Sequence, residues 1–181
     1  SFDAGSSADP ADKRGLESLA LGLFEEGTTS MSSREIAETS ERLGANISLG
    51  GGADRSSFTL SALSANLVPS LELLSDIVRN PAFAPSEIDR VRAQRSTSVE
   101  QELRTPASIA QRTAAPLIYG ADSPYAGPEN GTVESLSAIT RADITGFKDR
   151  WIRPDNGEIF VVSDRPLNEI VTSLEAVLGD W

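Results

Sequence analysis

The chain has 181 residues, 39% of them hydrophobic and 24% charged, which is enough apolar material to bury a core and fits one domain spanning residues 1–181. Its net charge of −11 excludes nucleic acid as a default partner, because phosphate binding needs a basic surface, and no apolar run has the length needed to insert into a membrane. With no histidine and no cysteine, it has no disulfide, no thiolate or imidazole for zinc, and no Ser-His-Asp or Cys-His nucleophile.

In chain order, Ser1 to Ala4 read as the tail of a strand, and no signal peptide is visible, so the chain is expected to be a piece of a longer polypeptide. The stretch from Gly5 to Pro10 is a turn. From Asp12 to Glu26, Leu16, Leu19, Ala20, Leu23 and Phe24 form the apolar stripe of an amphipathic helix, with Gly27 as its stop. A second helix is predicted from Ser33 to Leu43, ended by Gly44. Alternating runs at Asn46–Leu49 and Ser57–Leu63, joined through Gly50-Gly51-Gly52, predict an antiparallel hairpin half buried on one face.

A third helix is predicted from Asn66 to Arg79, with Pro69 tolerated in its first turn. Ser86-Glu87-Ile88-Asp89 resembles a capping box that opens a long polar helix to about Arg104. Thr105-Pro106 restarts a helix that ends near Tyr119-Gly120, and a Pro/Gly-rich loop runs on to Gly131. Short helices are predicted near Val133–Ser137 and Arg141–Trp151, a strand at Glu158–Ser163, and a last amphipathic helix from Asn168 to Leu178. Strands beside a hairpin with segregated helices point to an α+β fold with a largely antiparallel sheet.

Several stretches, in this order and spacing, resemble peptidase family M16, the insulinase and pitrilysin family. They include Gly15-Leu16, Glu26-Gly27-Thr28, Leu43-Gly44-Ala45 and Asn80-Pro81-Ala82-Phe83. Further along they include Tyr119-Gly120-Ala121-Asp122-Ser123-Pro124-Tyr125, Ile139-Thr140-Arg141-Ala142-Asp143-Ile144, and Trp151-Ile152-Arg153-Pro154-Asp155-Asn156 ahead of Phe160-Val161-Val162-Ser163-Asp164. The resemblance implies the LuxS/MPP-like metallohydrolase fold with its N-terminal strands truncated, and Gly179-Asp180-Trp181 as the junction to a following subdomain. Active members carry H-x-x-E-H on the helix after the first turn, where two imidazoles hold zinc and the glutamate deprotonates the attacking water. Here that register falls on Ser18, Leu21 and Gly22, and the third-ligand position falls near Ser98; Glu100 and Glu102 are expected on other faces.

The resemblance therefore implies a half without a catalytic residue, metal or cofactor of its own. It would dock to an H-x-x-E-H half, in the same polypeptide or a separate subunit, which carries the zinc and hydrolyses a peptide substrate. Bacterial relatives of this type are often exported, which makes the periplasm the expected compartment, with the cytoplasm as the alternative. A structural homologue without proteolysis, and a module that captures a peptide on an exposed edge strand, remain as alternatives.

Other chemistry is weaker. Neither Lys13 nor Lys148 stands in an S-x-x-K pattern, and Gly50-Gly51-Gly52 lacks the ending of a phosphate loop. Arg90, Arg92 and Arg95 read as a solvated helix face, Glu25-Glu26 as a solvated helix end, and Asp54 beside Arg55 as ambiguous. Tyr125 and Gly22 are the candidates for substrate or partner contact, although Tyr125, like Trp151, also suits the edge of the core.

Overall fold

The computed structural model describes residues 1–181. Helix α1 spans Leu16–Phe24 and is shorter than the periodicity predicts, because Gly15 adopts φ 89°, in the left-handed region open to glycine, and leaves Ala11–Lys13 as a separate 3-10 turn. Leu16, Glu17, Leu19, Ala20, Leu21, Leu23 and Phe24 are all buried, so α1 is covered almost all round and forms the centre of the core. Phe24 meets Phe58 and Phe83 edge to face, with ring centroids 5.0 and 5.4 Å away.

Helix α2 runs Ser33–Leu43, opened by a reciprocal Ser32–Glu35 capping box and closed by Gly44 at φ 60°. Strands β1 (Asn46–Gly51) and β2 (Ser56–Ser61) form the expected antiparallel hairpin, with Leu49 opposite Phe58 and Ile47 opposite Leu60. Period-two alternation turns Ile47, Leu49 and Phe58 toward the core. Helix α3 is Leu67–Arg79 and α4 is Pro85–Glu102. No capping box forms at Ser86: the helix starts one residue earlier, with Pro85 at its first position, where a missing N–H is harmless, and Ala84 as the cap.

Helix α5 spans Pro106–Tyr119, and α6 (Val133–Ala138) and α7 (Arg141–Trp151) each begin with a capping box, Thr132–Ser135 and Thr140–Asp143. Helix α8 is Leu167–Leu178, and beyond it Trp181 lies edge-on to Phe2 at 6.1 Å. No helix is long and apolar enough to cross a membrane.

The expected strand at 158–163 does not form. Phe2 bridges antiparallel to both Ser56 and Gly157, and Glu158 donates to the Ser1 carbonyl at 2.8 Å, but the ladder goes no further. Phe160 and Val162 are 77% and 103% exposed. The apolar, β-branched composition is right, but a strand also needs a neighbouring backbone, and residues 159–163 have none. The sheet therefore comprises the hairpin alone, with residues 1–4 laid against its β2 end.

Candidate functional site

Two adjoining depressions lie where α1 faces α4. The larger, about 410 Å³, is lined by Ser18, Leu21 and Gly22 of α1, Leu49 and Gly51 of β1, and Arg95 of α4, with acidic groups from Glu17, Glu25 and Glu129. The smaller, about 300 Å³, shares Gly22 and Arg95 with it and reaches Ser98. The structure thus brings together the positions singled out in the sequence, Ser18, Leu21, Gly22 and Ser98, on facing sides of one groove. Tyr125 stands apart: its hydroxyl donates to Asp54 Oδ1 at 2.8 Å, its ring leans on Tyr119, and it is 44% exposed.

Those residues do not fit zinc. Ser18 Oγ is spent on Asn130 Oδ1 at 3.3 Å, Leu21 is a buried hydrocarbon, Gly22 has no side chain, and Ser98 Oγ donates to the Gln94 carbonyl at 3.1 Å. In addition, the Arg95 guanidinium lies across Gly22, where an added Cβ would meet Nη2 at 3.1 Å, and donates to the Ser18 carbonyl at 3.2 Å. A fixed cation between α1 and α4 repels a dication at close range. Arg95 and Gly22 are in close contact, and a β-carbon at 22 would make the end of the arginine side chain shift by a few tenths of an ångström.

The other arginines of α4 have ordinary duties. Arg90 pairs with Glu26 and Glu87, so Glu26 is engaged by α4, and Arg92 pairs with Asp89 and donates to the Leu136 and Ile139 carbonyls, tying α4 to α6. Arg55 pairs with Asp3 and Glu158, linking the hairpin to both extended segments.

Two groups that sequence reasoning missed sit beneath the groove. Asp9 is buried, and its carboxylate accepts the Gly15 and Glu17 amides at 2.9 and 3.0 Å, holding the positive end of α1. Burial pushes Asp9 up to about 6 against the pull of those amides. Glu17 is 2% exposed, with Oε1 2.8 Å from Ser56 Oγ. Burial pushes it up to about 7, reinforced by the charges of Asp9 and Glu129 and opposed by the Ser56 hydroxyl and Arg95. The available signal was composition: Glu17 is the one charged residue in Leu16–Phe24.

The comparisons with known proteins fit this geometry. The family model for insulinase (peptidase family M16) matches residues 1–119. The chain is 23% identical over 175 residues to an uncharacterized zinc protease of Rickettsia felis, a match that covers 97% of this chain and 42% of that one. It superposes on the peptidase M16 inactive domain from Pseudomonas fluorescens with a TM-score of 0.77 at 30% identity, over 81% of this chain and 36% of that one. It superposes on the periplasmic protease PqqL from Escherichia coli with a TM-score of 0.82 at 18% identity, over 98% of this chain and 20% of that one. The chain spans less than half the length of each of these proteins.

Proposed function

The chain belongs to the insulinase family, peptidase family M16, and from that premise we propose that it forms a chamber wall and docks to an H-x-x-E-H half that hydrolyses peptides. The observation that carries this reading is the α1–α4 groove. At the register of the zinc motif it holds Ser18, Leu21 and Gly22, with a guanidinium laid over the last of them. The likeness to the M16 inactive domain from Pseudomonas fluorescens supports a non-catalytic half. In this reading zinc belongs to the partner half, whether that half lies in the same polypeptide or in a separate subunit. Peptide is then bound between the two, and the net charge of −11 favours basic or neutral sequences. The likeness to periplasmic PqqL supports an exported protein.

The test is hydrolysis of a mixed fluorogenic peptide library with zinc present, by the purified chain, by the H-x-x-E-H half, and by the two together. The expected result is no turnover by the chain alone and faster, chelator-sensitive turnover by the pair than by the catalytic half alone. Chelator-sensitive turnover by the chain alone overturns the reading. A rate unchanged by adding the chain favours the structural homologue without proteolysis.

A further inference from the structure

The hydrogen-bond count around Ser56 does not close with every carboxylate ionised. Ser56 Oγ is completely buried and lies 2.6 Å from the Ala4 carbonyl and 2.8 Å from Glu17 Oε1. Both are acceptors, and a serine hydroxyl has one hydrogen. If that hydrogen goes to Ala4, as the shorter contact indicates, the 2.8 Å contact to Glu17 needs a second hydrogen between two oxygens, and only the carboxyl can supply it. If it goes to Glu17, the Ala4 carbonyl, on a residue 2% exposed, loses the one hydroxyl that reaches it.

The surroundings agree. Gly51 of β1 lies so close over the carboxyl that a Cβ there would fall 2.0 Å from Oε1 and 2.6 Å from Oε2, and no amide or side chain donates to Oε2. The charged groups that face Glu17 are Asp9 from the turn before α1, Glu129 from the loop before α6, and Arg95 from α4, so two anions oppose one cation. Asp9 is already committed as an acceptor to the first amides of α1. Two buried carboxyls thus hold opposite roles: Asp9 accepts as the anion and Glu17 donates as the acid.

We propose that Glu17 is a proton-operated latch: as the neutral acid it donates to Ser56 Oγ, which donates onward to the Ala4 carbonyl, fastening α1, β2 and the N-terminal segment together. Loss of the proton leaves two acceptors for one hydrogen and a buried charge beside Asp9 and Glu129, and the segment 1–4 loosens from β2. The Phe2 and Ser56 amides, each bonded to the other's carbonyl at 2.8 and 3.1 Å, report that loosening.

The test is a pH titration of the ¹³C-labelled 181-residue chain by NMR, following the glutamate carboxyl carbons and the exchange of the Phe2 and Ser56 amides. One glutamate is expected to ionise near neutrality, well apart from the others, and to vanish in Glu17→Gln, whose amide replaces the donated hydrogen. Both amides are expected to exchange faster above that midpoint, beyond base catalysis itself, in the parent and not in Glu17→Gln. If every glutamate is ionised below pH 6, Glu17 carries no proton and the latch is refuted. A glutamate that titrates near neutrality with no change in either amide refutes the mechanical part. The parent titration gives the first answer even if the variant fails to fold.

Discussion

Gly22 shows how one missing side chain serves the packing of this groove. An added β-carbon would lie 3.1 Å from Arg95 Nη2 and 3.5 Å from Val91 Cγ1, and the nearer of these is the far end of a flexible chain. Gly22→Ala therefore makes Arg95 step aside at little cost while gaining up to about 1 kcal/mol of helix propensity, so its urea midpoint should equal or exceed the parent's. Gly22→Trp has to expel the guanidinium from the groove and should lose about 1–3 kcal/mol by overpacking. A Gly22→Trp chain as stable as the parent would show that the face is loose and that Arg95 is not held there. The sequence showed that positions 18, 21 and 22 could not ligate zinc, because residue chemistry alone decides that. It did not show Arg95 over Gly22, because that contact joins residues 73 positions apart in the chain.

Helix α1 depends on Asp9 more than on its own residues. The chain reverses at Gly15, so no serine, threonine or aspartate stands directly at its N-cap, and the carboxylate that accepts the Gly15 and Glu17 amides comes from the turn before it. Asp9→Ala leaves those donors unpaired in a buried place and should cost about 1–2 kcal/mol, seen as a lower urea midpoint and faster exchange at the Glu17 amide. Asp9→Asn, which keeps an acceptor oxygen, should recover part of the loss. An Asp9→Ala chain with unchanged Glu17 exchange would mean that the helix is capped in another way. The capping boxes of α2, α6 and α7 work within four residues, yet none of the three was predicted, whereas the one predicted at Ser86 does not form. The apolar run at 158–163 failed as a strand for a different reason. Alternation and β-branching describe one chain, whereas a ladder takes two, and residues 159–163 pair with no other backbone.

Across the fold, buried and paired carboxyls act on stability in opposite pH windows. Asp9 and Glu17, raised from 3.8 to about 6 and from 4.5 to about 7, hold more protons folded than unfolded. Their contribution is complete below the unfolded values and is lost as pH rises toward about 7. Asp143 behaves in reverse. Burial raises it, but the Lys13 ammonium 2.5 Å away and the Thr140 hydroxyl and amide outweigh that and bring it down to about 2. Its contribution is present above 3.8 and is lost as pH falls toward about 2. The urea midpoint should therefore be higher at pH 5 than at pH 8. Asp143→Asn should lower the unfolding free energy at pH 5 by roughly 1–2 kcal/mol, read as a lower urea midpoint, while leaving the fall above pH 5 in place. A midpoint that climbs steadily from pH 5 to pH 8 would mean that Asp9 and Glu17 are ordinary carboxylates in the folded chain.

The sequence by itself determined the helices and the hairpin, the family likeness, and the absence of imidazole or thiolate ligands, because periodicity, turn residues and side-chain chemistry are properties of neighbours along the chain. Only the tertiary structure decided that α1 is buried almost all round, that Arg95 lies over Gly22, that Asp9 caps α1 from a distance, and that Glu17 shares one hydrogen-bond chain with Ser56 and Ala4. Each of these turns on what packs against a residue from elsewhere in the chain. Burial and partner geometry set the cost of a charge or a missing hydrogen there, and neither is fixed until the elements meet.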